Sequence, residues 1–210
     1  MKRFLVLLLV WMAVCGAKAQ DMAPLFAAMP DALVPQLEDA WRKDLIDLYN
    51  AGKEAKLKNT MNGFSTLQKL TSDYLLLQVS DNSTIELKLL PLVNDTEIIG
   101  MITTVDGPVP DSRIAFYSTD WKPLDASGLF TPPVGHWFIK EGVEKNGEAY
   151  RHAVSMLDTD LVRYRFSPDD QTLTATYTTP LYLSEKDREK VLPYLRESPK
   201  VYSWRKFRFE

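Results

Sequence analysis

Cysteine is nearly absent from this 210-residue sequence, because Cys15 is the only one. It lies in an apolar N-terminal stretch, so a chain shortened after Ala19 has no cysteine at all. Disulfide bonds, thiol catalysis and cysteine-based metal sites are therefore excluded for that shortened chain. A protein of this size can instead be held together by its hydrophobic core.

Histidine and glycine are also scarce, with two and nine residues. His136 and His152 stand alone, without the spacing that brings two ligands to one metal, and we read both as ordinary residues of strand-like segments. There is no glycine-rich nucleotide loop of the GxGxxG or GxxxxGK(S/T) type, and no GxSxG nucleophile elbow. The sequence thus predicts no catalytic residue, no metal ligand and no cofactor.

A basic surface is missing too. The 25 lysines and arginines are outnumbered by 28 acidic residues, and no basic block stands out, so nucleic acid is not expected as a partner. The acidic pairs Asp158/Asp160 and Asp169/Asp170 lack the central glycine and closing glutamate of an EF-hand-like loop. We interpret both pairs as turn residues.

The N-terminal stretch Met1–Ala19 has the three parts of a secretory signal peptide. These are a basic start, an apolar run too short to cross a membrane, and a closing A-x-A motif. Cleavage is expected before Gln20, giving an exported periplasmic or secreted protein without a transmembrane segment in the mature chain. A lipoprotein acylated at Cys15 is the alternative, although Val14 is a poor residue to precede such a cysteine.

Two stretches, Leu70–Leu92 and Leu157–Leu181, each predict a β-hairpin. Each has an apolar run, a polar turn, an alternating run with one wet face, and a closing proline. The alternating apolar residues are Ile85, Leu87 and Leu89 in the first stretch and Leu173, Ala175 and Tyr177 in the second. We expect both hairpins to be equivalent parts of one sheet with this face towards a helix. Internal duplication, with halves at about 31–124 and 125–210, and two independent hairpins are both open explanations.

The rest of the chain indicates an α+β fold: a mainly antiparallel β-sheet packed with two amphipathic helices, in a single domain over residues 20–210. The first helix is predicted to begin at Pro35 and end before Gly52, and the second to lie between Ser184 and Pro193. The first should bury Trp41, Leu45 and Leu48 and expose Arg42. Further strands are predicted at 56–60, 65–70, 97–105, 113–118, 137–139, 150–156 and 201–209. Gly100 predicts a bulge or a close contact.

Aromatic side chains are the remaining candidates for binding. Trp121 lies in the loop-like segment DWKP, so its ring is either exposed, where it could stack on a sugar or anchor a protein interface, or packed in the core. The candidate binding surface consists of Trp121, Asp120, Tyr117 and Lys122.

Three segments carry a resemblance to a known family: RKDLIDLY (Arg42–Tyr49), LKLLPL (Leu87–Leu92) and, most distinctively, DSRIAFYSTDWKPL (Asp111–Leu124). In these the chain resembles a Bacteroidales-restricted family of secreted proteins classed as a domain of unknown function. The resemblance implies no catalytic residue. The layout of elements is also similar to folds made of two helix-plus-four-strand repeats, such as the beta-lactamase-inhibitor-like proteins, and this likeness warrants no functional transfer.

Two functions follow as expectations. The first is a non-catalytic binding protein for a protein or glycan of the cell envelope. The second is a hydrolase acting on envelope or dietary polysaccharide through a pair of carboxylates, which the sequence does not locate.

Overall fold

A computed structural model describes residues 21–210. Within them the α-helices are α1 (Met22–Ala27), α2 (Asp39–Asn50), α3 (Glu148–Ser155), α4 (Thr179–Tyr182) and α5 (Glu185–Val191). The strands are β1 (Lys56–Lys58), β2 (Phe64–Leu70), β3 (Tyr74–Ser80), β4 (Ser83–Pro91), β5 (Glu97–Asp106), β6 (Pro110–Ser118), β7 (Pro123–Leu124), β8 (Val162–Phe166), β9 (Thr172–Tyr177), β10 (Lys200–Arg205) and β11 (Arg208–Phe209). Short 3-10 helices span Asp31–Leu33, Gly135–Phe138 and Leu192–Tyr194.

The expected α+β fold with mainly antiparallel sheet is confirmed. None of the helices within residues 21–210 combines the length and the apolar character that crossing a bilayer requires. The predicted signal peptide Met1–Ala19, including Cys15 and the cleavage site, lies outside the described residues.

Strands β1 to β7 form a sheet in which each strand pairs with the next one along the chain. Short polar turns permit this order, because asparagine, aspartate and serine bond nearby backbone groups. In the β3–β4 turn the hydroxyls of Ser80 and Ser83 lie 2.7 Å apart, and the register sets Leu77 opposite Ile85. The first predicted hairpin is confirmed.

The second predicted hairpin is also present, but in a different sheet. Strands β8 and β9 pair around a turn in which the Ser167 hydroxyl accepts hydrogen bonds from the backbone N–H groups of Asp169 and Asp170, both at 3.2 Å. They belong to a four-stranded sheet with the order β11-β10-β9-β8. The expectation that both hairpins share one sheet is therefore wrong.

The hairpins are not structurally equivalent either. The first hairpin has a paired strand on each side, β2 and β5. The second has one on one side only, because β10 pairs with β9 while β8 is an edge strand. The shared sequence pattern thus reflects the common rules of hairpins, and the duplication into halves is not supported. A meander of seven consecutive strands also differs from a layout of two helix-plus-four-strand repeats.

Both faces of the seven-stranded sheet are covered. The face with Ile85, Leu87 and Leu89 packs against α1 and α2, as expected for the first hairpin. The opposite face packs against the four-stranded sheet, which contributes Phe166, Leu173 and other residues to a shared core. The predicted wet face of β4 is therefore wrong, because the second sheet excludes water from it.

Helix α2 packs on the sheet with Leu45 fully buried, while Trp41 and Leu48 are only partly buried. Arg42, expected on the solvent side, is buried. Its guanidinium donates to the carbonyl of Leu37 at 2.6 Å and pairs with Asp31 at 2.8 Å. The chain before α2 folds back over the helix, and this covers the arginine.

Three of the strands predicted after residue 136 differ from the structure. The predicted strand at 137–139 is largely a 3-10 helix, and the predicted strand at 150–156 is α3, so His136 and His152 lie on helices. The segment 201–209 is a hairpin that turns at Lys206-Phe207, where both residues have positive φ angles. The second predicted helix is confirmed as α5, with the Ser184 hydroxyl capping its N-terminus.

The two sheets approach closely at Gly100. A Cβ atom at this position would lie 2.7 Å from Cζ of Phe166, which is closer than side chains pack. Of the two alternatives predicted for Gly100, the close contact is the one observed, since β5 pairs with β4 and β6 without a register shift.

Candidate functional site

The surface predicted around Trp121 is not an exposed aromatic platform. Trp121 is 8% exposed, and its indole N–H donates to the carbonyl of Leu25 at 3.0 Å. A tight turn causes this: Trp121 has φ 60°, and the backbone N–H of Ser118 donates to the carbonyl of Lys122 at 2.9 Å. The turn directs the indole back onto α1, so of the two alternatives for this ring, packing in the core is the one observed.

The other three residues of that predicted surface differ in exposure. Asp120 and Lys122 are exposed, and Tyr117 is half-buried with its ring 5.6 Å from the Trp121 ring. Together they form a polar turn over a covered tryptophan rather than a site that offers a flat ring to a ligand.

A group of charged side chains lies between the two sheets. Glu86 and Lys88, neighbours on the inner face of β4, are 3% and 1% exposed. The Glu86 carboxylate accepts from the Phe166 backbone N–H at 3.0 Å and from the Tyr74 hydroxyl at 3.3 Å, and Lys88 pairs with Asp73 at 2.8 Å. Because they are covered on both sides, these groups join the sheets and do not face a ligand.

Burial shifts the pKa values of two residues here, Glu86 and Tyr74. It raises the pKa of Glu86 above the ordinary value of 4.5, and the hydrogen bond from Phe166 only partly opposes that rise. Burial also raises the pKa of Tyr74, reinforced by the Glu86 charge. Perturbed pKa values often mark active sites, but structural networks perturb them as well.

A candidate site that combines apolar walls with an oriented polar group is an open cleft of about 330 Å³ beside α3, which we call the α3 cleft. It lies between α3, the 3-10 helix Gly135–Phe138, the segment before β8 and the end of β9. Its lining residues are Val134, Gly135, His136, Ile139, Tyr150, Val154, Leu157, Asp160 and Tyr177. Such a volume lies at the lower end of the range for ligand sites, about 300–1,000 Å³.

The helical spacing of α3 builds one wall of this cleft. Tyr150, Val154 and Leu157 recur at four- and three-residue intervals and so share one side of the helix and of the chain just after it. Ala153 on the same side is buried in the core beneath. The Tyr150 ring meets the Tyr194 ring edge-on at 5.4 Å, and this contact fixes its position.

Asp160 is the most precisely held polar group of the cleft. One carboxylate oxygen accepts from the Gly135 backbone N–H at 3.0 Å and the other from the Tyr177 hydroxyl at 3.3 Å. Gly135 permits this approach, because a Cβ atom at that position would displace the carboxylate. The Phe138 ring stacks on Tyr177 at 4.5 Å and holds the second donor in place.

The chemistry of the cleft is that of a binding site. Aliphatic and aromatic side chains form most of its walls, and a few convergent polar groups give direction, as in ligand pockets generally. Asp160 is the only carboxylate among the described lining residues, and serine, lysine and arginine are absent from them. Across residues 21–210, no three His, Cys, Asp or Glu side chains come together as a possible metal site.

The sequence does not predict this cleft, because the segments 137–139 and 150–156, which contribute to its walls, are predicted to be strands. The spacing of Tyr150, Ala153, Val154 and Leu157 is a helical signal that could have revealed α3. The contact between Asp160 and Gly135 has no local signal, since 25 residues separate them.

Comparisons with known proteins place the chain in a family. The model of a family described as "Protein of unknown function (DUF3256)" matches residues 14–209. The chain belongs to this family. All three segments that carried the resemblance lie inside the matched range, so the expected membership in a family of unknown function is confirmed.

A solved structure from another protein is similar in fold to this DUF3256 member. It is described as the structure of a domain of an uncharacterized protein from Porphyromonas gingivalis W83, an organism of the order Bacteroidales. The two are 27% identical, with a TM-score of 0.81 over 91% of this chain and 98% of the other. No curated protein matches the sequence.

Proposed function

We propose that this DUF3256 protein is an exported, non-catalytic binding protein. It binds a protein or glycan of the cell envelope, and the bound portion of that partner lies in the α3 cleft. The observation that carries the proposal is the construction of the cleft: six of its nine described lining residues are aliphatic or aromatic, and they surround one carboxylate held by two donors. A preformed concave site with few oriented polar groups suits selective binding.

The cleft does not favour the alternative, a carboxylate-dependent hydrolase. Glycosidases place two carboxyl groups on either side of the scissile bond, about 5–10 Å apart. Asp160 is the only carboxylate among the described lining residues, and the neighbouring Asp158 lies outside that lining. Binding is therefore the function we propose for this cleft.

Export is supported by the sequence of Met1–Ala19 and fits the start of the fold. Helix α1 begins at Met22, so cleavage before Gln20 would remove no described element. Mass spectrometry of the exported protein should give an N-terminus at Gln20, and labelling with palmitate should give no signal. Acylation at Cys15 with retention in the membrane would instead make the protein a lipoprotein.

Blocking the cleft tests the binding function. Val134 lines the cleft and is 49% exposed, whereas Val93 is 58% exposed and lies in the turn between β4 and β5 of the other sheet. Tagged wild type, Val134→Trp and Val93→Trp are incubated with the native envelope fraction. A component held by wild type and Val93→Trp but lost from Val134→Trp is the expected result. Equal capture by all three would remove the cleft from the binding function.

A further inference from the structure

We propose that the α3 cleft selects a cationic ligand, an ammonium or guanidinium group carried on an apolar body. This inference rests on the proposed function, because it specifies the ligand chemistry of the same cleft. It is carried by three observations: the Asp160 carboxylate without an ion-pair partner, the aromatic rings without a protein cation over them, and the charged side chains of the lining.

The Asp160 carboxylate is oriented but not neutralised. Its two hydrogen bonds come from neutral donors, Gly135 N–H and Tyr177 O–H, and a carboxylate can accept about four. No ion pair within residues 21–210 involves Asp160, although other exposed carboxylates such as Asp39 and Asp187 have lysine partners at 2.8 Å. The remaining acceptor capacity of Asp160 is thus open to a ligand.

The cleft also offers aromatic rings that have no cation over them. Elsewhere in the described chain, the Trp137 and Tyr202 rings are covered by Arg196 or Lys200 at 4.5–5.1 Å. None of the cation–π pairs within residues 21–210 involves Tyr150 or Tyr177. A ligand cation within about 6 Å of such a ring is attracted by its negative face.

Among the described lining residues Asp160 is the only acidic side chain, and His136 is the only basic one. Asp158 and Asp160 both act on the Tyr177 hydroxyl, where their negative charges add to burial in raising the pKa of Tyr177. The described lining contains no lysine or arginine that would attract a phosphate or carboxylate. The Asp160 carboxylate therefore favours a cation over an anion, and the apolar body of such a ligand would lie against Val154, Leu157 and Ile139.

Matched small probes test the inference on the full mature chain, residues 20–210. Phenethylamine carries a cation, and 2-phenylethanol has nearly the same shape without charge. We expect the amine to bind about tenfold more tightly, as judged by titration of the NMR methyl signals of Val134, Val154 and Leu157. Asp160→Asn should abolish this difference, whereas Asp158→Asn should reduce it only in part.

A salt titration tests the charge dependence of binding on the wild-type protein alone. Sodium chloride should weaken binding of the amine and leave binding of the alcohol unchanged, because only the charged pair is screened. A capped dipeptide, N-acetyl-phenylalanyl-arginine amide, distinguishes the source of the cation: tighter binding than phenethylamine indicates a protein side chain, and weaker binding indicates a free amine.

The outcomes separate this inference from the proposed function. Equal affinity of amine and alcohol, with the cleft signals shifting for both, would overturn the cationic selection and leave the cleft as a binding site. If the amine shifts the NMR methyl signals of Asp160→Asn as much as those of the wild type, cationic selection by Asp160 would likewise be overturned and the cleft would remain a binding site. No shift with any of the probes at their highest soluble concentrations would count against both proposals.

Discussion

At the scale of single residues, the largest departure from expectation is a buried arginine. Arg42 looks like a solvent-facing helix residue, yet its guanidinium contacts the carbonyls of Ala27 and Leu37 and the carboxylate of Asp31. It thereby attaches α1 and the segment after it to α2. Helix periodicity could not predict this, because the covering segment comes from outside the helix.

Replacing Arg42 by methionine should destabilise the protein by about 2–4 kcal/mol. Methionine fills much of the space but leaves the carbonyls of Ala27 and Leu37 without their donor. Urea unfolding of wild type and variant measures the change in the free energy of unfolding. The control is Lys43→Met, which removes only an exposed pair with Asp39 and should cost about 0.5 kcal/mol or less. Similar losses for both would show that the contacts of Arg42 contribute little.

Trp121 is a second residue whose burial depends on contacts from outside its own segment. Its segment is polar and contains a proline, which correctly predicts a turn. Exposure does not follow, because a residue with a positive φ angle can point its side chain inward, and Trp121 does so. Local composition therefore predicted the backbone at this position but not the direction of the ring.

At the scale of elements, local rules predicted the hairpins and long-range packing decided the rest. The turns at Ser80–Ser83 and Ser167–Asp170 are encoded by neighbouring polar side chains, so both hairpins were predictable. Their assignment to different sheets depends on contacts such as Glu86 to Phe166, 80 residues apart. The turn at Lys206-Phe207 carries neither the glycine nor the asparagine typical of such turns, so this hairpin had no local signal.

Glu86 links elements and gives the interface of the sheets a pH dependence. Its carboxylate accepts from the backbone N–H of Phe166, on the edge strand β8, while burial raises its pKa. Between the unfolded pKa, near 4.5, and the raised folded pKa, the native state binds more protons than the unfolded state. The contribution of Glu86 to stability is therefore full below the unfolded pKa and is lost as pH rises through the folded pKa.

The variant Glu86→Gln should lack this pH dependence. Urea unfolding across about pH 4 to pH 8 should show the wild type losing stability relative to the variant as the pH rises, by about 1.4 kcal/mol for each unit of pKa displacement. Glu144→Gln, in an exposed loop, should follow the wild type. A difference between wild type and Glu86→Gln that stays constant with pH would show that the folded pKa of Glu86 is not raised.

At the scale of the whole molecule, the two sheets share one core. The ring of Phe209 in β11 lies 6.5 Å from the ring of Phe116 in the first sheet and 6.0 Å from that of Phe166 in the second. Because neither sheet can bury its inner face without the other, we expect them to unfold together as a single domain.

Phe209→Ala should test this cooperation. Loss of the buried ring should lower the free energy of unfolding by about 3–5 kcal/mol. Both sheets should still unfold in a single transition, which tryptophan fluorescence and far-ultraviolet circular dichroism would measure. Phe207→Ala is the matched control, because that ring is 44% exposed and its loss should cost about 0.5 kcal/mol or less. Two separate transitions in Phe209→Ala would show that the sheets unfold independently.

The order of the strands also has a consequence for the nascent chain. The seven-stranded sheet is complete at Leu124, and α1 and α2, which cover one of its faces, have already been made by then. The strands that cover its other face end only at Phe209. Synthesis at about 5–20 residues per second leaves that apolar face bare for roughly 4–17 s. Any factor that shields unfinished chains would meet this protein at the inner surface of β4, β5 and β6.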